Sequence, residues 1–370
     1  MTDKPIFVTQ PSLPPIEELT PYLETIWKNK WLTNCGPFHN ELEVALCKYL
    51  KVRELALFNN GTMALIAALK IASLTGEVIT TPFSFVATSH ALLWNNLTPV
   101  FVDIDPENLN LDPAKIEAAI TSNTSAILAV HCYGNPCDTK AIQAIADKHG
   151  LKVIYDAAHA FGVEIKDGSI LNAGDMSILS FHATKIFNTL EGGAIICHDE
   201  DIKKSIDSFK NFGITSEETV GVVGLNGKMD EFNAAFGLLQ LKYIDQLLAK
   251  RKVIAEDYQK EIDEIDGINY LSCQISKTKN YAYFPVLIGA EYPLTRDELY
   301  AKLKSKNIFT RRYFYPLITS FEPYKDIKTA TPDNVPVATE MADKVLCLPI
   351  FPDLTKEDFM RIINVLRGDK

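Results

Sequence analysis

Apolar positions along the chain recur with two periods, and the switches between them mark out the elements. Leu42, Ala45, Leu46 and Tyr49 share one face of a 3.6-residue period, which predicts an amphipathic helix over 41–50. The apolar run 54–58 predicts a short strand, after which Asn59-Asn60-Gly61-Thr62 opens an Ala/Leu-rich helix reaching residue 72. A strand at 77–80 and a helix over 83–94 come next. Runs at 100–103, 125–131 and 151–156 predict further strands, the last preceded by a helix over 138–149. Strands at 176–181 and 194–197 complete this part.

Apolar strands separated by helical periods imply an α/β fold, with a mostly parallel central sheet covered by helices on both faces. Ligands of such sheets sit beyond the carboxyl ends of the strands. The segments 59–62, 82–85, 131–135, 156–159 and 180–185 all fall there. A helical pattern at 229–250 bridges to a second unit. There, helices at 251–262, 295–306 and 355–366 accompany a strand-like 281–288 and a Pro-rich loop at 315–336. A chain of 370 residues fits two domains better than one. The expected division is a large domain, 1–245, and a smaller C-terminal α+β domain, 246–370.

Composition narrows the function classes. The net charge of −10 is spread along the chain without a basic block, which argues against a nucleic-acid footprint and an anionic membrane surface. A phosphorylated ligand is still allowed, because a helix N-terminus and a few cations suffice for one. The seven cysteines, Cys273 among them, are odd in number and include no Cys-x-x-Cys pair. That disfavours a metal site or a disulfide framework and suits a reduced cytosol. The N-terminal stretch lacks the basic and apolar regions of a signal peptide, and no apolar run reaches the length of a membrane span. A cytoplasmic protein with no metal is expected.

Candidate chemistry centres on Ser180-Phe-His-Ala-Thr-Lys185, which follows Val-Ile-Tyr-Asp156-Ala-Ala-His159. Pyridoxal 5'-phosphate needs an amine for a Schiff base and a carboxylate to keep its ring nitrogen protonated. It also needs hydroxyls and backbone N–H groups for its phosphate. Lys185, Asp156 and the pair Thr62 and Ser180, with Gly61 at the helix start, supply those types at strand ends. Phe85 suits the ring face, and His159 suits its edge or a hydrogen bond to Asp156. Each has a plainer reading: a solvated lysine, a turn-capping Asp, a structural histidine, a core phenylalanine.

Together these motifs resemble the DegT/DnrJ/StrS family of sugar aminotransferases. The likeness runs from Trp31-Leu-Thr-Asn-Cys-Gly-Pro37 through Asn59–Thr62, Thr81-Pro-Phe-Ser-Phe-Val-Ala-Thr88, Pro99–Asp105, Asp156–His159 and Ser180–Gly193 to Asn226-Gly-Lys-Met229. It implies a fold-type-I, aspartate aminotransferase-like homodimer with active sites at the interface. By the same resemblance Lys185 carries the cofactor and Asp156 binds its ring nitrogen. Phe85 stacks on the ring, Thr62 and Ser180 hold the phosphate, and Asn226 reaches the phosphate of the neighbouring subunit. The implied reaction moves an amino group from L-glutamate to a nucleotide-linked ketosugar, the cofactor passing through pyridoxamine 5'-phosphate.

Two departures bear on detail. Gly227 and Lys228 stand where many members carry an aromatic residue and Arg, and lysine lacks the bidentate fork of arginine. Lys228 is therefore a candidate for the glutamate carboxylate or the sugar diphosphate. The nucleotide is expected near 31–37 and 311–315, where Arg311 or Arg312 could meet the diphosphate and Tyr315 is a further candidate. Relatives with histidine at the lysine position are dehydratases, and Lys185 argues against that branch. Finer likeness, in Val8–Pro14, Gly76–Pro82, His131–Cys137 and Ile154–Gly162, is to members that aminate C4 of dTDP-4-keto-6-deoxy-D-glucose for O-antigen or other surface polysaccharides. Amination at C3, a ketosugar dehydratase and a non-catalytic regulatory relative are the competing readings.

Overall fold

Seven strands form the central sheet, in the order Glu54–Phe58, Gly193–Cys197, Met176–Ser180, Lys152–Asp156, Thr124–Val130, Glu77–Thr80, Thr98–Phe101. Only Gly193–Cys197 runs against the rest, pairing antiparallel with both neighbours. The computed structural model describes residues 4–271 and 275–368, and Cys273 and the first three residues lie outside them. Strand interiors such as Ala126 to Val130 are buried throughout, as a sheet covered on both faces requires. The fold is the α/β, fold-type-I architecture expected. No helix among the described residues is long and apolar enough to cross a membrane.

Beyond this sheet lies a three-stranded antiparallel one, Ile268–Tyr270, Phe284–Ile288 and Val345–Leu348. It has its own apolar cluster, built around Tyr258, Val286, Leu299 and Ile362. The N-terminal strand Ile6–Phe7 pairs in parallel with Ile308–Phe309, and Ile6 is buried in the same cluster. The start of the chain thus packs with its C-terminal part.

Several boundaries differ from the sequence expectation, each for a local reason. The patterns at 229–250 and 251–262 are one continuous helix, Glu231–Ile262. Its first half packs Ala234, Leu238 and Ile244 into the main cluster, and its second half packs Ala255, Tyr258 and Ile262 into the C-terminal one. The apolar stripe changes partner, so the period shifts without a break. Arg251, at the apparent boundary, is buried and donates to the carbonyls of Tyr281 and Ile350. The helix expected from 83 begins at Ala87, because Thr81 Oγ1 accepts from Phe83 N in a turn that keeps Phe83 and Ser84 buried and leaves Phe85 exposed. The strand expected from 281 begins at Phe284, after the Asn280 side chain accepts from Ala282 N. Helices Ile16–Asn29, Glu200–Phe209 and Pro336–Lys344 were not anticipated by the periodicity.

Two helices lack a side-chain cap of their own and receive a carboxylate from a distant element. Pro37–Leu50 follows Gly36, and Glu231 accepts from Phe38 N and His39 N at 2.9 and 2.8 Å. That carboxylate leaves no room for a side chain at Gly36, whose added Cβ would fall 2.6 Å from Glu231 Cδ. Pro336–Lys344 is capped by Asp103, which leaves the edge of the central sheet and accepts from Val337 N and Ala338 N at 3.0 and 2.8 Å. Lys115 Nζ pairs with the same carboxylate at 2.9 Å. Asp103 thus fastens the central sheet to the C-terminal part, and strand Thr98–Phe101 ends early so that it can. Asp103→Ala leaves two N–H groups without their charged acceptor and should cost about 3 kcal/mol, measured as a lowered urea midpoint at unchanged slope.

Candidate active site

Parallel pairing of Lys152–Asp156 with Met176–Ser180 brings Asp156 and Ser180 to the same edge of the sheet. Asp156 is buried. Its Oδ2 accepts from Thr88 Oγ1 at 2.7 Å and its Oδ1 from Ala158 N at 3.1 Å. Thr88 Oγ1 lies 2.8 Å from Ser84 Oγ, so the 83–88 turn is tied to the carboxylate. Burial pushes the Asp156 carboxyl above its ordinary range, against both hydrogen bonds and the nearby Lys185. A cationic partner facing it would relieve that cost.

Lys185 stands five residues past Ser180, on a loop turned by Lys185 N donating to His182 O at 2.8 Å. Its Nζ lies 5.9 Å from the centroid of the Tyr283 ring, within cation–π range. Burial lowers the ammonium to about 8, and the Asp156 charge opposes that shift. A sizeable neutral fraction near neutral pH is what an amine nucleophile needs.

The opposite end of the site is a helix N-terminus. Asn60 ends the turn after strand Glu54–Phe58 and accepts from Met63 N at 2.8 Å, starting helix Gly61–Ile71. First-turn N–H groups without an intrahelical acceptor attract anions. A Cβ on Gly61 would lie 3.0 Å from Ser180 Cβ and 3.3 Å from its Oγ, so glycine is what allows the helix start to meet the strand end. Thr62 is exposed beside it.

The structure gathers Gly61, Thr62, Phe85, Asp156, His159, Ser180 and Lys185 around one cavity of about 330 Å³. Phe85 is 59% exposed and presents a bare ring face. His159 is buried and neutral, its pKa driven well down by burial. Its Nδ1 accepts from Tyr133 N at 3.3 Å, and its ring lies parallel to Phe314 at 6.1 Å. It does not hydrogen-bond Asp156. Its Nε2 instead lies 3.4 Å from the Tyr283 hydroxyl. A buried carboxylate raised in pKa, an amine shifted toward neutrality and an anion-binding helix end fit the ring nitrogen, aldehyde and phosphate of pyridoxal 5'-phosphate.

Asn226, Lys228, Arg312 and Tyr315, singled out in the sequence, lie outside the lining of this cavity. Asn226 is exposed and bridges to Asn211. Lys228 Nζ donates to Asn211 Oδ1 at 2.7 Å and sits 4.8 Å over the Phe212 ring. Arg312 pairs with Asp297 at 2.8 Å and stacks on Tyr300 and Tyr315. The wall facing the sheet is made instead by Tyr283, Tyr313 and Phe314. They are more than a hundred residues from Asp156 in sequence, and only the aromatic clusters 281–284 and 313–315 hinted at them. Ser84 and Thr88 were also passed over, although their i, i+4 spacing beside Phe85 was visible.

A family model described as the DegT/DnrJ/EryC1/StrS aminotransferase family matches residues 15–367. The chain is 54% identical over 368 residues to a dTDP-4-amino-4,6-dideoxy-D-glucose transaminase of Shigella dysenteriae, covering 100% of each. A protein of the same description from Escherichia coli is 54% identical over 369 residues, again covering 100% of each. Among solved structures, DesI determined in the presence of its TDP-sugar product superposes with a TM-score of 0.94 at 34% identity, over 99% of this chain and 93% of that one.

In the cofactor-free protein, modification of Lys185 by an amine-reactive reagent should rise with pH through a midpoint at about 8, against 10.5 for an ordinary lysine. Asp156 favours the ammonium, so Asp156→Asn should move the midpoint lower still. Peptide mass spectrometry across a pH series reads both; a midpoint at the ordinary value would contradict the burial.

Proposed function

The chain belongs to the DegT/DnrJ/EryC1/StrS aminotransferase family, and from that premise we propose that it moves the amino group of L-glutamate to C4 of dTDP-4-keto-6-deoxy-D-glucose, using pyridoxal 5'-phosphate. The observation that carries the chemistry is Lys185, an amine shifted toward neutrality in one cavity with the buried Asp156 carboxylate. Support for the substrate comes from identity of 54% along the full length to two transaminases named for the corresponding amino sugar. The product would supply surface polysaccharide synthesis in the cytoplasm.

When bound, the cofactor supplies an electron sink for the carbon that gains or loses nitrogen. Lys185 Nζ anchors it between turnovers. When free, the same nitrogen would take up and return the proton of the substrate carbon being changed. Asp156, raised by burial, would keep the ring nitrogen protonated, and Thr88 and Ala158 hold its carboxylate in place. Gly61, Thr62 and Ser180 would hold the phosphate, and Phe85 and the neutral His159 would hold the ring. Of the expected domains, 1–245 would hold the cofactor, although its first strand packs with the C-terminal part. The other, 246–370, contributes Tyr283, Tyr313 and Phe314, which would keep water from the proton transfer.

A homodimer completes the site. Val220, Val222 and Val223 are 66, 53 and 91% exposed on the segment that ends at Asn226, an apolar surface suited to a second copy. In that arrangement Asn226 of the partner subunit reaches the phosphate. Lys228, Arg312 and Tyr315 are assigned to the glutamate carboxylate and the sugar diphosphate.

Incubation with glutamate and a panel of 3-keto and 4-keto dTDP-, UDP- and GDP-sugars, read by product NMR, should give the 4-amino sugar from dTDP-4-keto-6-deoxy-D-glucose. Amination at C3, or a deoxygenated product without nitrogen, would overturn the assignment. Lys185→Ala should lower turnover by at least about 10³-fold and remove the visible absorbance of the bound cofactor.

A further inference from the structure

Behind the phosphate-binding turn lies a group of charges for which the proposed reaction has no use. The Lys210 side chain is 1% exposed, and its Nζ pairs with Asp207 at 2.8 Å and Glu43 at 3.2 Å. Lys203 pairs with the same two carboxylates at 2.6 and 3.0 Å. Glu43 Oε1 also accepts from Leu57 N at 2.9 Å, inside strand Glu54–Phe58. His39 Nε2 is 3.8 Å from Glu43, but burial and then Lys210 lower its pKa to about 4. It is neutral, so the cluster balances two carboxylates against two ammonium groups. Buried ion pairs seldom repay their desolvation in stability, and their better-attested value lies in fixing one arrangement over others.

What this cluster fixes can be followed bond by bond. Lys210 O accepts from Gly227 N at 2.9 Å, and Gly227 O accepts from Asn59 N at 2.7 Å. Asn59 is the residue before Asn60, which caps the cradle helix. A Cβ at Gly227 would lie 2.9 Å from Phe58 Cδ1, and Lys210 Nζ is 6.0 Å from the centroid of that same ring. The excursion 211–226 leaves from Lys210 and returns to Gly227. It is closed at its base by the Asn211–Asn226 bridge and by Phe212 N donating to Leu225 O at 2.9 Å. One buried lysine therefore stands at the root of two structures: the turn that starts the chain's own phosphate cradle, and the segment that carries Asn226.

We propose that Lys210 is a positioning residue. Its ion pairs with Glu43 and Asp207 clamp Gly227 against Asn59, setting at once the phosphate cradle of its own chain and the reach of Asn226 toward the other subunit. This rests on the cofactor and homodimer reading above. Each subunit's clamp then serves both sites of the dimer.

Titration of cofactor-free dimer with pyridoxal 5'-phosphate tests the first half. Lys210→Met should raise the dissociation constant about tenfold, and Lys210→Arg should restore most of the loss. Should Lys210→Met fail to fold, Glu43→Gln, which removes one charge while keeping an acceptor for Leu57 N, should shift binding in the same direction. Lys210→Met dimers that bind like wild type, whatever their melting temperature, would overturn the proposal. Failure of the wild-type chain to bind the cofactor would sink the functional reading itself.

Mixed dimers test the second half, with one chain inactivated by Lys185→Ala. Placing Lys210→Met on the inactivated chain alters only the segment presented to the working site. That dimer should bind cofactor at the working site more weakly than the control whose inactivated chain keeps Lys210. Equal binding would overturn the action across the interface.

Discussion

Asp156 is a carboxylate that the fold buries before anything arrives to balance it. Two hydrogen bonds, from Thr88 and Ala158, hold it without neutralising it, and its raised pKa records the deficit. Much of the surrounding structure follows from keeping it there. The turn that swings 83–86 out of helix Ala87–Trp94 delivers the Thr88 and Ser84 hydroxyls to it. The parallel register beside it sets Ser180 at the same edge, and the loop from Ser180 brings Lys185 across. Lysine and aspartate are each shifted toward neutrality by the same low dielectric. A ring that is cationic at one point and electrophilic at another relieves both.

The half of the site that lies at strand ends was legible in the sequence. An apolar run followed by Asp, Ser or Asn-Gly-Thr fixes where a strand stops, and in a parallel sheet stopping points share an edge. Asp156, Ser180, Gly61 and Thr62 could be placed on that reasoning alone. Tyr283, Tyr313 and Phe314 could not, because no local period says which distant loop folds over the sheet. The same limit hid the caps of helices Pro37–Leu50 and Pro336–Lys344. Their N-terminal acceptors, Glu231 and Asp103, are far away in sequence, so the usual local start signal was missing. Site residues also blurred the element boundaries. The strand and helix patterns overran into Tyr283 and Phe85, apolar residues that line the cavity.

Helix Glu231–Ile262 links the two apolar clusters as a single rod. Arg251 lies buried where its stripe changes partner, bonded to carbonyls at Tyr281 and Ile350. Those carbonyls flank the strands of the small sheet, so the loop that carries Tyr283 is tied to the same rod. The aromatic wall of the cavity is thus referenced to the central sheet through the helix as well as through Asp103.

The pairing of Ile6–Phe7 with Ile308–Phe309 gives the chain an unusual order of completion. During synthesis the last strand of the central sheet, Gly193–Cys197, emerges before the partner of the first strand exists. Residues 6–7 must stay unpaired while about three hundred residues are translated, and their partner strand is made only after the whole central sheet. The pairing closes a loop of about three hundred residues, so the small strand pair is held by the most distant contact in sequence that the sheets make.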